Sequence, residues 1–236
     1  MLRRNKCILV ISDFHAPYNH PDAIAFLAEI KRVYSPDRIV NIGDEADWHC
    51  MSFHDTDPDL FAPSEELCRA IKHLKPMYEL FPKVDVIHSN HGSMVYRKQK
   101  HHGIPRSVFK SYNEILEAPR GWKWHEDLTI KMSDGLMVYF HHGKSAREIQ
   151  LSLSAGMSAV SGHYHEKFCI NYWTTPQQDR WQMFVGCLID NKSMAFAYNK
   201  NFSKTPIIGC GIIIDGQPKL IPLLMDKKGR WIGKLK

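Results

Sequence analysis

Five short segments combine acids and imidazoles in a pattern suited to divalent cations. They are Asp13-Phe14-His15, Gly43-Asp44-Glu45-Ala46-Asp47, Ser89-Asn90-His91-Gly92, His141-His142-Gly143 and Gly162-His163-Tyr164-His165. Carboxylates and neutral imidazoles ligate borderline divalent ions, and a carboxylate that follows a strand can place one oxygen on each of two ions. Asp44 is the natural bridge. Two cations about 3.5–4 Å apart can clamp a phosphoryl group, lower the pKa of a bridging water and stabilise the charge of in-line attack. No protein nucleophile is then needed. Any one of these segments alone is commonly surface or satisfied core polarity, so the inference rests on their joint occurrence and context.

At least four of the segments follow a predicted strand. Residues 6–12 form a β-branched apolar run of the kind covered on both faces, ending at Asp13 and His15. Residues 21–34 carry apolar side chains at helical spacing, and Pro36 stops them. Residues 38–42 and 84–89 read as further strands, with a helix over 64–80 between them that Ser64 is expected to cap. This β-α-β-α-β order predicts parallel strands with right-handed crossovers. The second half changes character: a hairpin turns at Ser133-Asp134-Gly135, a short helix covers 145–155, and strands follow around 180–185, 206–214 and 218–224, the last two joined through Asp215-Gly216. In an open parallel sheet the carboxyl ends of the strands share one edge, so the five segments describe a single site.

The chain has 236 residues, of which 44% are hydrophobic, enough for one large domain. A formal charge of +6 suits an anionic partner but does not separate nucleic acid from nucleotide or phosphoprotein. Cys7, Cys50, Cys68, Cys169, Cys187 and Cys210 contain no Cys-x-x-Cys pair, against a zinc ribbon or thioredoxin-like site, and read as mostly buried thiols. Asp13 ends the first apolar run too early for a secretory segment, and no stretch approaches the roughly 20 apolar residues of a membrane span. A cytoplasmic protein without membrane partners is expected.

The ordered series resembles the calcineurin-like metallophosphoesterase pattern D-x-H, G-D-x-x-D, G-N-H-[DE], H, G-H-x-H, over residues 13–165. The wider chain, including Tyr112 to Pro119 and Tyr139 to Ser145, resembles bacteriophage phosphoesterases. The resemblance implies an α/β fold, a four-layer α/β/β/α sandwich with two facing mixed sheets. One domain over 1–236 is expected, with 93–125 as a candidate substrate-facing insertion. Matching positions, Asp13, His15, Asp44 and His165 hold a first ion, and Asp44, Asn90, His142 and His163 a second. Manganese is the first choice for this oxygen-rich, thiolate-free site, with iron, zinc or nickel as alternatives. A metal-bridging hydroxide then attacks the ester, and His91 protonates the leaving oxygen or stabilises the transition state.

Two departures surround His91: the family glycine is Ser89, and the usual acid after the histidine is Gly92. Asp47 is therefore expected to orient the His91 ring. Position 142 is chosen because the family's ligand histidine immediately precedes glycine, which leaves His141 near the substrate. Arg97, Lys98 and Arg106 in the basic segment 96–110 are candidates to grip phosphate, against the alternative of a solvated helix face. Trp48, His49, Phe53 and His54 could line the mouth, and Arg230 and Trp231 in the tail could touch nucleic acid, although a surface tail is favoured. The expected activity is hydrolysis of a phosphodiester in DNA, RNA or a nucleotide. The alternatives are a phosphomonoesterase or protein phosphatase, and a metal-binding interaction module. Trp48 stands where such protein phosphatases have a phosphate-gripping arginine.

Overall fold

The segment Cys-Ile-Leu-Val-Ile forms strand β1 (Cys7–Ile11), and every one of its residues is buried because both faces are covered. Ile8 and Val10 face a second sheet, whereas Cys7, Leu9 and Ile11 face helices. The computed structural model describes residues 5–52, 59–143, 145–193 and 205–235. From β1 the chain enters helix α1 (Ala23–Tyr34), strand β2 (Arg38–Asn41), helix α2 (Pro63–Leu80) and strand β3 (Val84–Ile87). Helices α3 (Met94–His101) and α4 (Tyr112–Ile115) lead to β4 (Trp122–His125). Then come β5 (Leu128–Lys131), β6 (Met137–His141), helix α5 (Gln150–Ala155) and β7 to β11, at Ser158–Ser161, Phe168–Thr174, Asp179–Val185, Gly209–Ile214 and Gln217–Pro222.

Two mixed sheets result, in the orders β11-β10-β1-β2-β3-β4 and β5-β6-β7-β9-β8. In the first, β1 to β4 run parallel while β10 pairs antiparallel with β1, Leu9 opposite Ile212. In the second, β6, β7 and β9 are parallel and the outer strands antiparallel. Between the sheets, Ile8, Val10, Val40, Ile42 and Ile87 meet Val138, Phe140, Val160, Met183 and Val185. Outside the first sheet, Phe26, Leu27 and Ile30 of α1 and Leu74 and Met77 of α2 form the other main core. Helix α5 lies on the second sheet, where the Ser152 N–H donates to Gln182 Oε1 at 3.0 Å. The expected four-layer arrangement of helix, sheet, sheet and helix is what the chain adopts.

Several boundaries differ from expectation for identifiable reasons. Pro63 opens α2, where its missing N–H costs nothing and its fixed φ suits a first turn, so Ala62 occupies the cap and Ser64 does not. The helix expected over 145–155 begins only at Gln150, because Ile149 has φ +55° and cannot extend it backward. Strands β4 and β8 were not foreseen. Each is an edge strand with half-buried residues, which erases the alternation that sequence reading needs.

All six cysteines are free thiols, but only Cys7, Cys187 and Cys210 are buried, fewer than expected. The tail is not a loose arm. Arg230 forms an ion pair with Asp22, the Trp231 N–H donates to Asp22 Oδ2 at 3.0 Å, and the Trp231 ring stands edge-on to Phe26 with centroids 5.8 Å apart. Among the described residues, no helix is long and apolar enough to cross a membrane.

Candidate metal centre

Each of the five segments lies just beyond a strand: Asp13 and His15 after β1, Asp44 and Asp47 after β2, Asn90 and His91 after β3, His142 after β6, and His163 and His165 after β7. The first two loops are clipped together by main-chain hydrogen bonds, Asp13 N–H to Gly43 O at 3.1 Å and His15 N–H to Asp44 O at 2.8 Å. Non-glycine residues with positive φ concentrate here, with Asp13 and His15 at +50°, Asp44 at +52° and His163 at +68°. Such conformations cost on the order of 1–3 kcal/mol each, and the surrounding hydrogen bonds must hold them.

Three groups of ligand atoms result, each with all members within 4.8 Å of one another: Asp13, His15 and His165; His15, Asp44 and His91; and Asp44, His142 and His163. Asp44 belongs to two of them. His142 Nε2 lies 3.2 Å from Asp44 Oδ2 and 2.7 Å from Asn90 Oδ1, while His165 Nε2 lies 3.0 Å from Asp13 Oδ1. His15 Nε2 points between Asp13 Oδ1 at 3.7 Å and Asp44 Oδ2 at 3.6 Å.

The other ring nitrogens are fixed from behind. His15 Nδ1 meets Asp47 Oδ1 at 2.5 Å, and His142 Nδ1 donates to the Ile42 carbonyl at 2.7 Å. Both contacts leave Nε2 turned toward the carboxylates, the orientation outer partners impose on ligand histidines. His91 Nδ1 donates to the main-chain carbonyl of Asp47, whereas Asp47 Oδ1 is 3.8 Å away. Asp47 thus meets the His91 ring through its backbone, and its carboxylate is committed to His15.

Close approaches at the site demand glycine. Gly43 has φ +91°, and a Cβ there would lie 2.7 Å from Ile87 O; at Gly162 a Cβ would lie 2.8 Å from Asp13 Oδ2. Ser89 is the feature that sequence reasoning did not use. Its hydroxyl accepts the N–H groups of Asp44 and Gly92, each at 3.0 Å, so the departure from glycine braces the loop that carries Asp44. Ser89→Ala leaves both donors unmet and is expected to cost about 1–3 kcal/mol in urea unfolding, with Ser89→Thr retaining part of it; equal midpoints for alanine and wild type would refute the brace.

Among the described residues, Asp13, Asp44 and Asp47 have only histidines as ion-pair partners. Burial opposes charge on Asp13, yet the His165 and His15 imidazoles outweigh it and hold the carboxyl well below the usual range. Asp44 behaves alike, with His142 and His91 overcoming burial. Burial also opposes charge on His15, but Asp13 and Asp47 lift it to about 10, and Asp44 lifts His142 to about 9. Burial, and then His142, push His163 down. The buried acids therefore gather protons onto neighbouring imidazoles where a cation would otherwise balance them.

His15 and His142 have folded values above their unfolded value of about 6.5, so their contribution is complete below that pH and disappears as pH rises through 9 and 10. Asp13 and Asp44 contribute above about pH 4 and lose that contribution as pH falls further. Calorimetry of the chelated protein should show Tm falling from about pH 6.5 to about pH 10, with added divalent cation removing most of that fall. A flat chelated profile would contradict it.

Of the other expected residues, Arg97 and Lys98 lie on α3, and Arg106 lies in the 3-10 turn Arg106–Val108. His141 belongs to none of the three ligand groups; its ring stacks on Tyr139 and its Nδ1 accepts the Gly143 N–H at 3.1 Å. Trp48 is buried and donates to Tyr112 Oη at 2.8 Å, His49 Nδ1 is 3.9 Å from Asp47 Oδ2, and Phe53 and His54 lie outside the described residues. Glu45, not singled out beforehand, is fully buried, and burial pushes its carboxyl up to about 7.

No protein-family model and no curated protein matches the sequence. Solved structures do. Vacuolar Protein Sorting 29 from Cryptosporidium parvum superposes with a TM-score of 0.53 at 11% identity, over 99% of this chain and 95% of that one. Vps29 from Chaetomium thermophilum gives a TM-score of 0.53 at 8% identity, over 99% and 94%. The chain has the calcineurin-like metallophosphoesterase fold. YfcE, a phosphoesterase from E. coli, matches with a TM-score of 0.47 at 10% identity, over 96% of each chain. Within the metallophosphoesterase fold, the acid and imidazole groups described above occupy the strand ends.

Proposed function

We propose that this chain hydrolyses a phosphodiester, in nucleic acid or a nucleotide, with two divalent cations held at the strand ends. The observation that carries the reading is Asp44, which is shared by ligand groups on either side of it. Asp13, His15, Asp44 and His165 would hold one ion, and Asp44, Asn90, His142 and His163 the other. The donor set fits, since among the described residues these buried acids have imidazoles as their only ion-pair partners, and a buried carboxylate calls for a cation. Manganese suits these oxygens and imidazoles, with iron, zinc or nickel as substitutes.

Bound there, two such cations would clamp phosphoryl oxygens and lower the pKa of water for in-line attack. The remaining work falls to the chain. Asp47 and the Ile42 carbonyl keep His15 and His142 in the tautomer whose Nε2 faces the site. A carbonyl can only accept, so His91 carries its proton on Nδ1 toward Asp47 O and keeps Nε2 for the substrate. Its side chain is 19% exposed, which suits a ring at the rim of the site, where a leaving oxygen would depart. Residues 1–236 would act as one domain, with 93–125 beside the substrate.

The test is hydrolysis of bis-p-nitrophenyl phosphate and p-nitrophenyl phosphate by chelated protein reloaded with Mn²⁺, alongside metal content by mass spectrometry. Two bound equivalents and faster diester cleavage are expected. Preference for the monoester would indicate a phosphomonoesterase or protein phosphatase. Two bound ions without turnover on either ester would indicate an interaction module.

A further inference from the structure

The segment directly after His91 has an unusual charge and surface. From Gly92 to Asn113 the chain contains Arg97, Lys98, Lys100, Arg106 and Lys110 and no acidic residue. It also leaves aromatic rings in solvent: Tyr96 is 46% exposed and Phe109 41%. Arg106 lies over the Tyr96 ring, 5.3 Å from its centroid, and α3 packs against the 3-10 turn that carries Arg106. Cations interleaved with solvent-exposed aromatic rings are what an unpaired strand of bases requires, since bases stack on ring faces and cations follow phosphates. A duplex offers no free base faces.

The ridge is anchored to the candidate site at both ends. At its start, the Ser93 N–H donates to Ser89 O at 3.0 Å and the Met94 N–H to His91 O at 2.9 Å. At its far end, Tyr112 Oη accepts from Trp48 Nε1, next to Asp47, and would lie 3.4 Å from a Cβ at Gly92. A capping box at Ser111 and Glu114 fixes the turn into α4. The basic, aromatic surface is therefore held at a set position beside His91.

We infer that the ridge from Tyr96 to Lys110 binds single-stranded nucleic acid, with bases stacked on Tyr96 and Phe109 and phosphates along Arg106 and Lys110. This rests on the phosphodiesterase reading and narrows its substrate to unpaired strands delivered past His91.

Fluorescence anisotropy with a labelled 12-nucleotide strand tests it, using full-length protein with cations chelated so that the strand survives. Single strand should bind at least about tenfold tighter than the same sequence as a duplex. Tyr96→Ala and Phe109→Ala should each weaken single-strand binding on the order of 5- to 100-fold, with Tyr96→Phe close to wild type. Arg106→Ala should lower the slope of log affinity against log salt by about 0.7. Both aromatic side chains are exposed, so circular dichroism melts should match wild type. With Mn²⁺ restored, the aromatic variants should lose about tenfold more on the oligonucleotide than on bis-p-nitrophenyl phosphate.

Equal or tighter duplex binding, aromatic variants that bind as wild type, or equal competition by a polyglutamate peptide would overturn the inference. Cleavage of the small diester together with any of these would leave the metal site standing and remove the ridge. Oligonucleotide binding without hydrolysis of any ester would do the reverse.

Discussion

Asp44→Asn should strip the protein of both divalent cations and lower phosphodiester hydrolysis roughly a thousandfold or more, because cation charge stabilisation is worth several kcal/mol. The substitution isolates charge. Asparagine tolerates the +52° φ that this position adopts, and its amide oxygen can still accept the His91 N–H now held at 3.2 Å. The fold should persist while the oxygen facing His142 Nε2 at 3.2 Å and His15 Nε2 at 3.6 Å loses its anionic character. Asp13→Asn is the contrast, since Asp13 belongs to one ligand group and should cost one ion. Mass-spectrometric metal content decides the matter, and two full equivalents retained by Asp44→Asn would remove the bridge.

His91→Ala should behave oppositely, keeping two equivalents of metal while kcat falls about 10²- to 10⁴-fold. His91 lies in a ligand group with His15 and Asp44, so metal content must be measured rather than assumed. The loss should depend on the leaving group. A p-nitrophenolate departs without a proton and should suffer least, whereas a nucleoside alcohol needs one and should suffer most. Equal losses on both would assign His91 to charge stabilisation, and loss of one ion would make it a ligand.

Much of the fold was legible because β1 is an unbroken apolar run, β2 and β3 are short and mostly apolar, and the helices between them carry clear stripes. Those strands are buried on both faces, so their pattern is dense. Edge strands β4 and β8 have one neighbour each and escaped notice. The site was legible as a set of residue types, since acids and imidazoles at strand ends point to few chemistries. What it lacked was direction. The spacing of Asp47 and His91 does not reveal that a main-chain carbonyl makes the contact while the carboxylate serves His15. Ser89 looked like a mere departure from a glycine pattern, yet its hydroxyl joins the loops after β2 and β3. Nor do the charges of 96–110 disclose that Tyr96 and Phe109 face solvent.

The position of β1 between β2 and β10 also bears on how the chain reaches this state. One edge of β1 is met by the next strand, but the other must wait for Gly211–Ile214, about 200 residues later, to pair with Cys7–Val10. Closing so long a loop is slow, and an open Cys-Ile-Leu-Val-Ile edge is a template for pairing between molecules. During synthesis, Asp13 and His15 therefore hang from a strand whose second seam stays open until β10 has emerged. Chains that stop before β10 would present that edge to one another and assemble into aggregates, leaving the cation ligands unformed.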